Sequence, residues 1–176
     1  MTSASKSSAS PISGKPASER ANALAERLEA GARALTMFAE GLTDKEWRTP
    51  VPHDGRRIGV MVHHVGNMYP LEIQLAQKIA AGERIEGVTW ADVDAINAAH
   101  AKEKDAVAKA EALDFVVKNS AAAAAAIRAM SDRELDSATP NSLYADAPLT
   151  CQFFLEDHPV RHSYHHLGRI RAALKR

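Results

Sequence analysis

Four histidines, His158, His162, His165 and His166, fall within nine residues near the end of this 176-residue chain. A neutral imidazole nitrogen is the commonest side-chain ligand for a divalent metal ion. Residues four apart on a helix stack one turn above each other on the same face. His158 and His162 have that spacing, and so do His162 and His166, so either pair could grip one ion. The segment is not the HExxH zinc motif, because Ser163 stands where that motif has glutamate. A catalytic metal site usually takes three protein ligands and keeps one position for water or substrate, so a third ligand must come from another element.

The adjacent pair His63 and His64 offers that ligand. At about 100° per residue, Met61, Val65, Met68 and Leu75 form one helical stripe. His64 sits at the edge of the stripe, while His63 is expected to point well away from it, which favours His64. Glu72 lies on the same stripe, where a carboxylate is costly to bury without a partner. It could orient a ligand histidine, act as a base, or bind the metal directly. Cys151 falls on the histidine side of the last helix and could bring a thiol near the site, although a lone cysteine is more often a small buried apolar residue. The single histidines His53 and His100 are read as surface or hydrogen-bonded residues.

These side chains need helices to position them, and the apolar spacing supplies helices. Pro16 and Ser18 mark a start, and Leu24, Leu28, Leu35, Phe38 and Leu42 define a first helix over about 18 to 41. A loop with Pro50, Pro52 and Gly55 follows. The second helix runs from Arg57 to Ala81 with a kink expected at Pro70. Thr89 caps a stretch from Trp90 to about Val107, and another runs from Leu113 to Met130 through six alanines. The last helix spans about Leu149 to Leu174, with Phe153, Val160, Tyr164, Leu167, Ile170 and Leu174 as an apolar stripe opposite the histidines. No alternating strand pattern exceeds four residues, and the one Asp-Gly pair follows two prolines. The expectation is an all-α four-helix bundle with a long connection between helices 2 and 3.

Hydrophobic residues make up 45% of the chain and charged residues 25%, as in ordinary globular domains. With 22 basic and 22 acidic residues the net charge is zero, which argues against a nucleic-acid surface. No apolar run reaches the roughly 18 to 20 residues of a membrane span. A single cysteine excludes an internal disulfide and fits a reducing, cytoplasmic setting. Residues 1–17, rich in serine and alanine, read as a disordered tail ahead of one domain over 18–176.

The chain resembles the DinB superfamily of four-helix metalloenzymes. The segment from His158 through His162, His165 and His166 to Ile170 is similar to that family's last-helix motif, HxxxH followed by a glycine and an apolar residue. Ile58 to Val65 is similar to its second-helix motif, an apolar stretch ending in the ligand histidine. Trp47 to Pro52, and Asp92 to Ala101 with Asn97, are similar to the related N-terminal domains of mycothiol-dependent maleylpyruvate isomerases. The chain departs from that branch after its Asp-Gly turn, with Arg56-Arg57 in place of Trp-Thr, and in having Pro159 within the last helix.

The resemblance implies a metal triad of His64, His162 and His166, leaving His158 and His165 to support the ligands or contact substrate; with Glu72 from the helical stripe, these are the candidate catalytic residues. It implies a divalent ion, Zn²⁺ first and Ni²⁺, Fe²⁺ or Mn²⁺ as alternatives, and a low-molecular-weight thiol as a second cofactor. The expected role is metal activation of water or that thiol for transfer, hydrolysis or isomerisation of a small molecule, in a homodimer. The rival expectation is a non-catalytic, stress-related helical protein that binds a metal or ligand.

Overall fold

The computed structural model describes residues 18–176, so the tail expected over 1–17 lies outside the described residues. Its principal helices are α1 (Glu19–Glu40), α3 (Ile58–Ala80), α5 (Lys109–Arg128) and a composite last helix. The last helix comprises α7 (Cys151–Leu155), a π-helical turn over Glu156–Val160, and α8 (Arg161–Leu174). Short helices α2 (Asp44–Trp47) and α6 (Asp132–Asp136) lie between them, and α4 (Trp90–Glu103) occupies the long connection after α3. No helix among the described residues is long and apolar enough to cross a membrane.

The four principal helices form a bundle. α1 packs on α5 and α8, and α3 packs on the same two, so α1 and α3 stand diagonally opposed. Leu24, Leu28 and Leu35 of α1 meet Ile58, Met61, Val62 and Val65 of α3 and Ile170 of α8 in one buried core. Ser18 caps α1 by accepting from the Ala21 N–H, the expected use of a serine at a helix start.

Two devices let α3 pass close to α5. Gly66 lies against the α5 backbone, where a Cβ would come within 3.0 Å of the Val116 nitrogen. Pro70 lacks an N–H, so the Gly66 carbonyl four residues earlier loses its helical partner. Asn119 of α5 supplies the missing donor, its Nδ2 lying 2.9 Å from that oxygen. α3 therefore runs unbroken across Pro70.

Three expectations need correction. A two-stranded antiparallel hairpin, β1 (Ala138–Asn141) with β2 (Ala147–Thr150), occupies the region read as loop, and the last helix starts at Cys151 rather than Leu149. Strands of four residues are too short to show alternation, and the turn is made without glycine by Ala145 and Asp146 at φ 53° and 59°. Pro140 and Pro148 sit opposite each other in a two-stranded sheet, where lost donors are tolerated. The helix after the long connection begins at Lys109, four residues before the expected start.

The apolar stripe proposed for the last helix also fails in part. Val160, Leu167 and Ile170 are buried, but Phe153 and Tyr164 are exposed and Phe154 and Leu155 are buried instead. The π turn widens the helix before Val160 and shifts the phase of everything N-terminal to it. Pro159 lies inside that turn.

Replacing Asn119 with alanine should destabilise the fold by about 1–2 kcal/mol, because it leaves the Gly66 carbonyl unpaired. The loss should shrink once Pro70→Ala restores the helical N–H. Urea unfolding of the two single variants and the double variant measures that coupling.

Candidate metal centre

α3 and α8 carry the histidines to one place. Tyr69 and Ser163, both fully buried, tie the two helices by a 2.6 Å hydrogen bond between their hydroxyls. His162 is adjacent to Ser163 in α8, and α3 brings His64 and Glu72 to either side of Tyr69 along the chain. On the other side, α8 packs on α1 at Gly31, where a Cβ would lie within 2.8 Å of the Tyr164 ring.

The ligand atoms of His64, His162 and His166 all lie within 4.8 Å of one another. His64 Nε2 and His162 Nε2 are 3.2 Å apart. Nitrogens bound at about 2.0–2.1 Å around a tetrahedral ion stand about 3.3 Å apart, so the separation suits a shared cation. The Nδ1 atoms of His64 and His166 are buried without a partner. Burial, reinforced by His162 and Arg56, pushes the His64 pKa down to about 2. Burial likewise holds His166 well below the usual histidine range, with His162 and His64 adding to it. Buried neutral imidazoles in convergent array form the donor set of a borderline metal ion, and the residues fit one.

Glu72 is only 2% exposed. Its Oε1 accepts a hydrogen bond of 2.7 Å from His162 Nδ1, which leaves the His162 Nε2 lone pair directed at His64. Of the three roles open to Glu72, this bond has the geometry of the orienting one. His158 Nδ1 lies 3.8 Å from the same carboxylate oxygen, and its Nε2 is 2.7 Å from the Tyr144 hydroxyl. Tyr144 in turn donates to Asp157 at 2.5 Å. His165 stands exposed at the rim, its ring edge against His166.

The cluster floors a cavity of about 490 Å³. Met68, Leu71 and Leu75 of α3 form one wall, and Trp90, Val93 and Ile96 of α4 form the roof. Leu143 closes one side, and the Trp90 indole N–H donates to its carbonyl at 3.0 Å. Arg56 and Asn97 also line the cavity, and neither was expected from the sequence as a site residue on geometric grounds. Tyr144 sits in the unforeseen hairpin turn, so no sequence signal pointed to it.

One further expectation is corrected, that for Cys151. His63, set aside as a ligand in favour of His64, is buried, stacks on Phe115, and bonds through Nδ1 to His100 Nε2 at 2.8 Å. It faces the junction of α4 and α5, a surface invisible when α3 is considered alone. Cys151 does not reach the site, because the π turn breaks the helical phase between it and His158. Its thiol is buried, bonds to the Ala76 carbonyl, and burial pushes its pKa up to about 12. The hydrogen-bonded reading of His100 holds, in a buried position.

The fold and site together define a helical-bundle protein with an internal three-histidine centre. The family model of the DinB superfamily matches residues 27–170, and the chain belongs to that superfamily. Among solved structures it is similar to YfiT from Bacillus subtilis, described as a probable metal-dependent hydrolase with an unusual four-helix bundle topology. The two superpose with a TM-score of 0.72 at 16% identity, covering 95% of this chain and 92% of the other. No curated protein matches the chain.

The buried histidines make acid a specific denaturant of the metal-free chain. His64 and His100 have folded pKa values of about 2 and about 4, both set chiefly by burial and both below an unfolded value near 6.5. Their contribution is complete above pH 6.5 and is lost as pH falls, at up to about 1.4 kcal/mol per pH unit for each group. The urea midpoint should drop between pH 6.5 and 4.5, and His100→Gln should flatten part of that slope.

Proposed function

We propose that this protein is a metal-dependent enzyme acting on a small molecule, with His64, His162 and His166 holding one divalent ion. The observation that carries this reading is the convergence of three imidazoles, His64 and His166 buried and His162 anchored by Glu72, at the floor of one cavity. When bound, the ion would supply Lewis acidity that yields a water- or thiol-derived nucleophile near neutral pH. Zn²⁺ suits three imidazoles best, and Ni²⁺ and Fe²⁺ also suit them.

The chain's own groups take the remaining tasks. Glu72 fixes the His162 tautomer and holds the ring in place. His158, bonded to Tyr144 and close to Glu72, is placed to take or return a proton at the cavity floor. His165 guards the rim. Cys151 is sealed away, so any thiol taking part must be brought in by a small molecule. Hydrolysis, group transfer and isomerisation share these requirements, and the likeness to YfiT, a probable metal-dependent hydrolase, favours hydrolysis.

Metal analysis of untagged protein should find close to one equivalent of zinc or another divalent ion after supplementation. Less than about a tenth of an equivalent would sink the reading. His64→Ala and His166→Ala should each weaken zinc binding by about 10-fold or more, and Glu72→Gln by about 10- to 100-fold. Competition with a chromogenic chelator measures all three.

A further inference from the structure

Arg56 leaves part of its charge unspent beside the histidine cluster. Two of its nitrogens grip Asp54, Nε at 2.5 Å and Nη2 at 2.8 Å. Asp54 is shared, because Arg169 Nη1 of α8 lies 3.0 Å from its Oδ2. Arg56 and Arg169 share the single charge of Asp54, and Lys78 and Glu72, which also line the cavity, offset each other, so one positive charge is in surplus. The third nitrogen of Arg56, Nη1, is buried and has no hydrogen-bond partner. A guanidinium N–H in that condition costs stability unless something accepts from it.

Arg56 and Asn97 are shared by the histidine-floored cavity and a second cleft beside the Val51–Arg57 loop, so they form the partition between the two. Asn97 Oδ1 is also buried without a partner. An unused cationic donor and an unused amide oxygen thus line one space, whose remaining lining is apolar at Met68, Leu75, Val93 and Ile96 and polar at Gln74, Lys78 and the histidine floor.

We propose that Arg56 is the carboxylate anchor of the substrate, so that this cavity selects small apolar acids carrying a single negative charge. The inference rests on the cavity being the substrate site and does not require the ion. One surplus charge matches one carboxylate, the apolar walls match a hydrocarbon body, and Asn97 serves a hydroxyl, amino or amide group beside the acid. Asp54 is the positioning residue: held by Arg169, it fixes the guanidinium so that Nη1 is the edge left over.

Calorimetric titration of the full chain with 4-phenylbutyrate and its neutral amide tests this, in chelator-stripped and zinc-loaded forms. The acid should bind at least about 10-fold more tightly than the amide in both forms. Arg56→Met should abolish that preference while leaving the amide affinity and zinc stoichiometry unchanged. If Arg56→Met does not fold, Arg56→Lys serves, with a loss of preference of about 3-fold or more because the forked geometry is gone. No preference in the wild-type chain overturns the proposal, as does a preference unchanged in the Arg56 variant. A preference that appears only with zinc and ignores Arg56 belongs to the ion and overturns it equally. A chain that takes up no zinc yet keeps an Arg56-dependent preference removes the metal reading and leaves the carboxylate site standing.

Discussion

A carboxylate that is 2% exposed between two helices cannot stand alone, since desolvating an unpaired charge costs several kcal/mol or more. Glu72 meets that demand with the His162 Nδ1–H, and much of the site follows from this one bond. It fixes which nitrogen of His162 carries the proton, and so which nitrogen faces His64. It also ties α3 to α8, because a 2.7 Å bond from a buried carboxylate leaves the two helices little room to shift. The Tyr69–Ser163 bond repeats the tie one residue further along α8, so the helices are held by paired polar contacts inside an apolar core. Such a network helps only when it is complete, and among the buried atoms without a partner are His64 Nδ1, His166 Nδ1, Glu72 Oε2 and Arg56 Nη1, all on residues that line the cavity.

The surrounding bundle accommodates two prolines that an ordinary helix would resist. At Pro70 the orphaned Gly66 carbonyl finds Asn119 on the neighbouring helix, so the defect becomes a contact between α3 and α5. At Pro159 the helix widens into a π turn immediately before the metal-site residues of α8. Such turns often mark functional sites, because one widened turn re-aims every side chain beyond it. Here the widening puts Phe154 and Leu155 into the core and leaves His158 half-buried at the cavity floor.

The roof has a different character from the floor. α4 buries only His100, and its Val93 and Ile96 face the cavity without a close-packed partner. A helix held by few buried contacts sits at the low-stability end of the fold, where ligand-entry elements are found. The capping box of Thr89 and Asp92 and the Trp90–Leu143 bond anchor its N-terminal end. A rigid polar floor beneath a lightly held apolar roof suits a small amphiphilic substrate.

By itself the sequence determined the all-helical bundle, the placement of α1, α3 and α8, and the His64–His162–His166 set that the structure brings together. Periodic burial on long helices is a local signal, and i to i+4 spacing survives folding unchanged. Spacing alone left His158–His162 and His162–His166 as equal pairs, and the resemblance to the DinB superfamily separated them. The tertiary structure decided what depends on contact between distant segments. His63 is buried by Phe115 and His100, Cys151 is turned away by the π turn, and the hairpin turns on two left-handed residues that are not glycine. Arg56 became a candidate anchor only once Asp54, itself paired with Arg169, had claimed its other two nitrogens. Whether a donor is spent or free is a property of its neighbours, and neighbours separated by more than a hundred residues are set only by the folded chain.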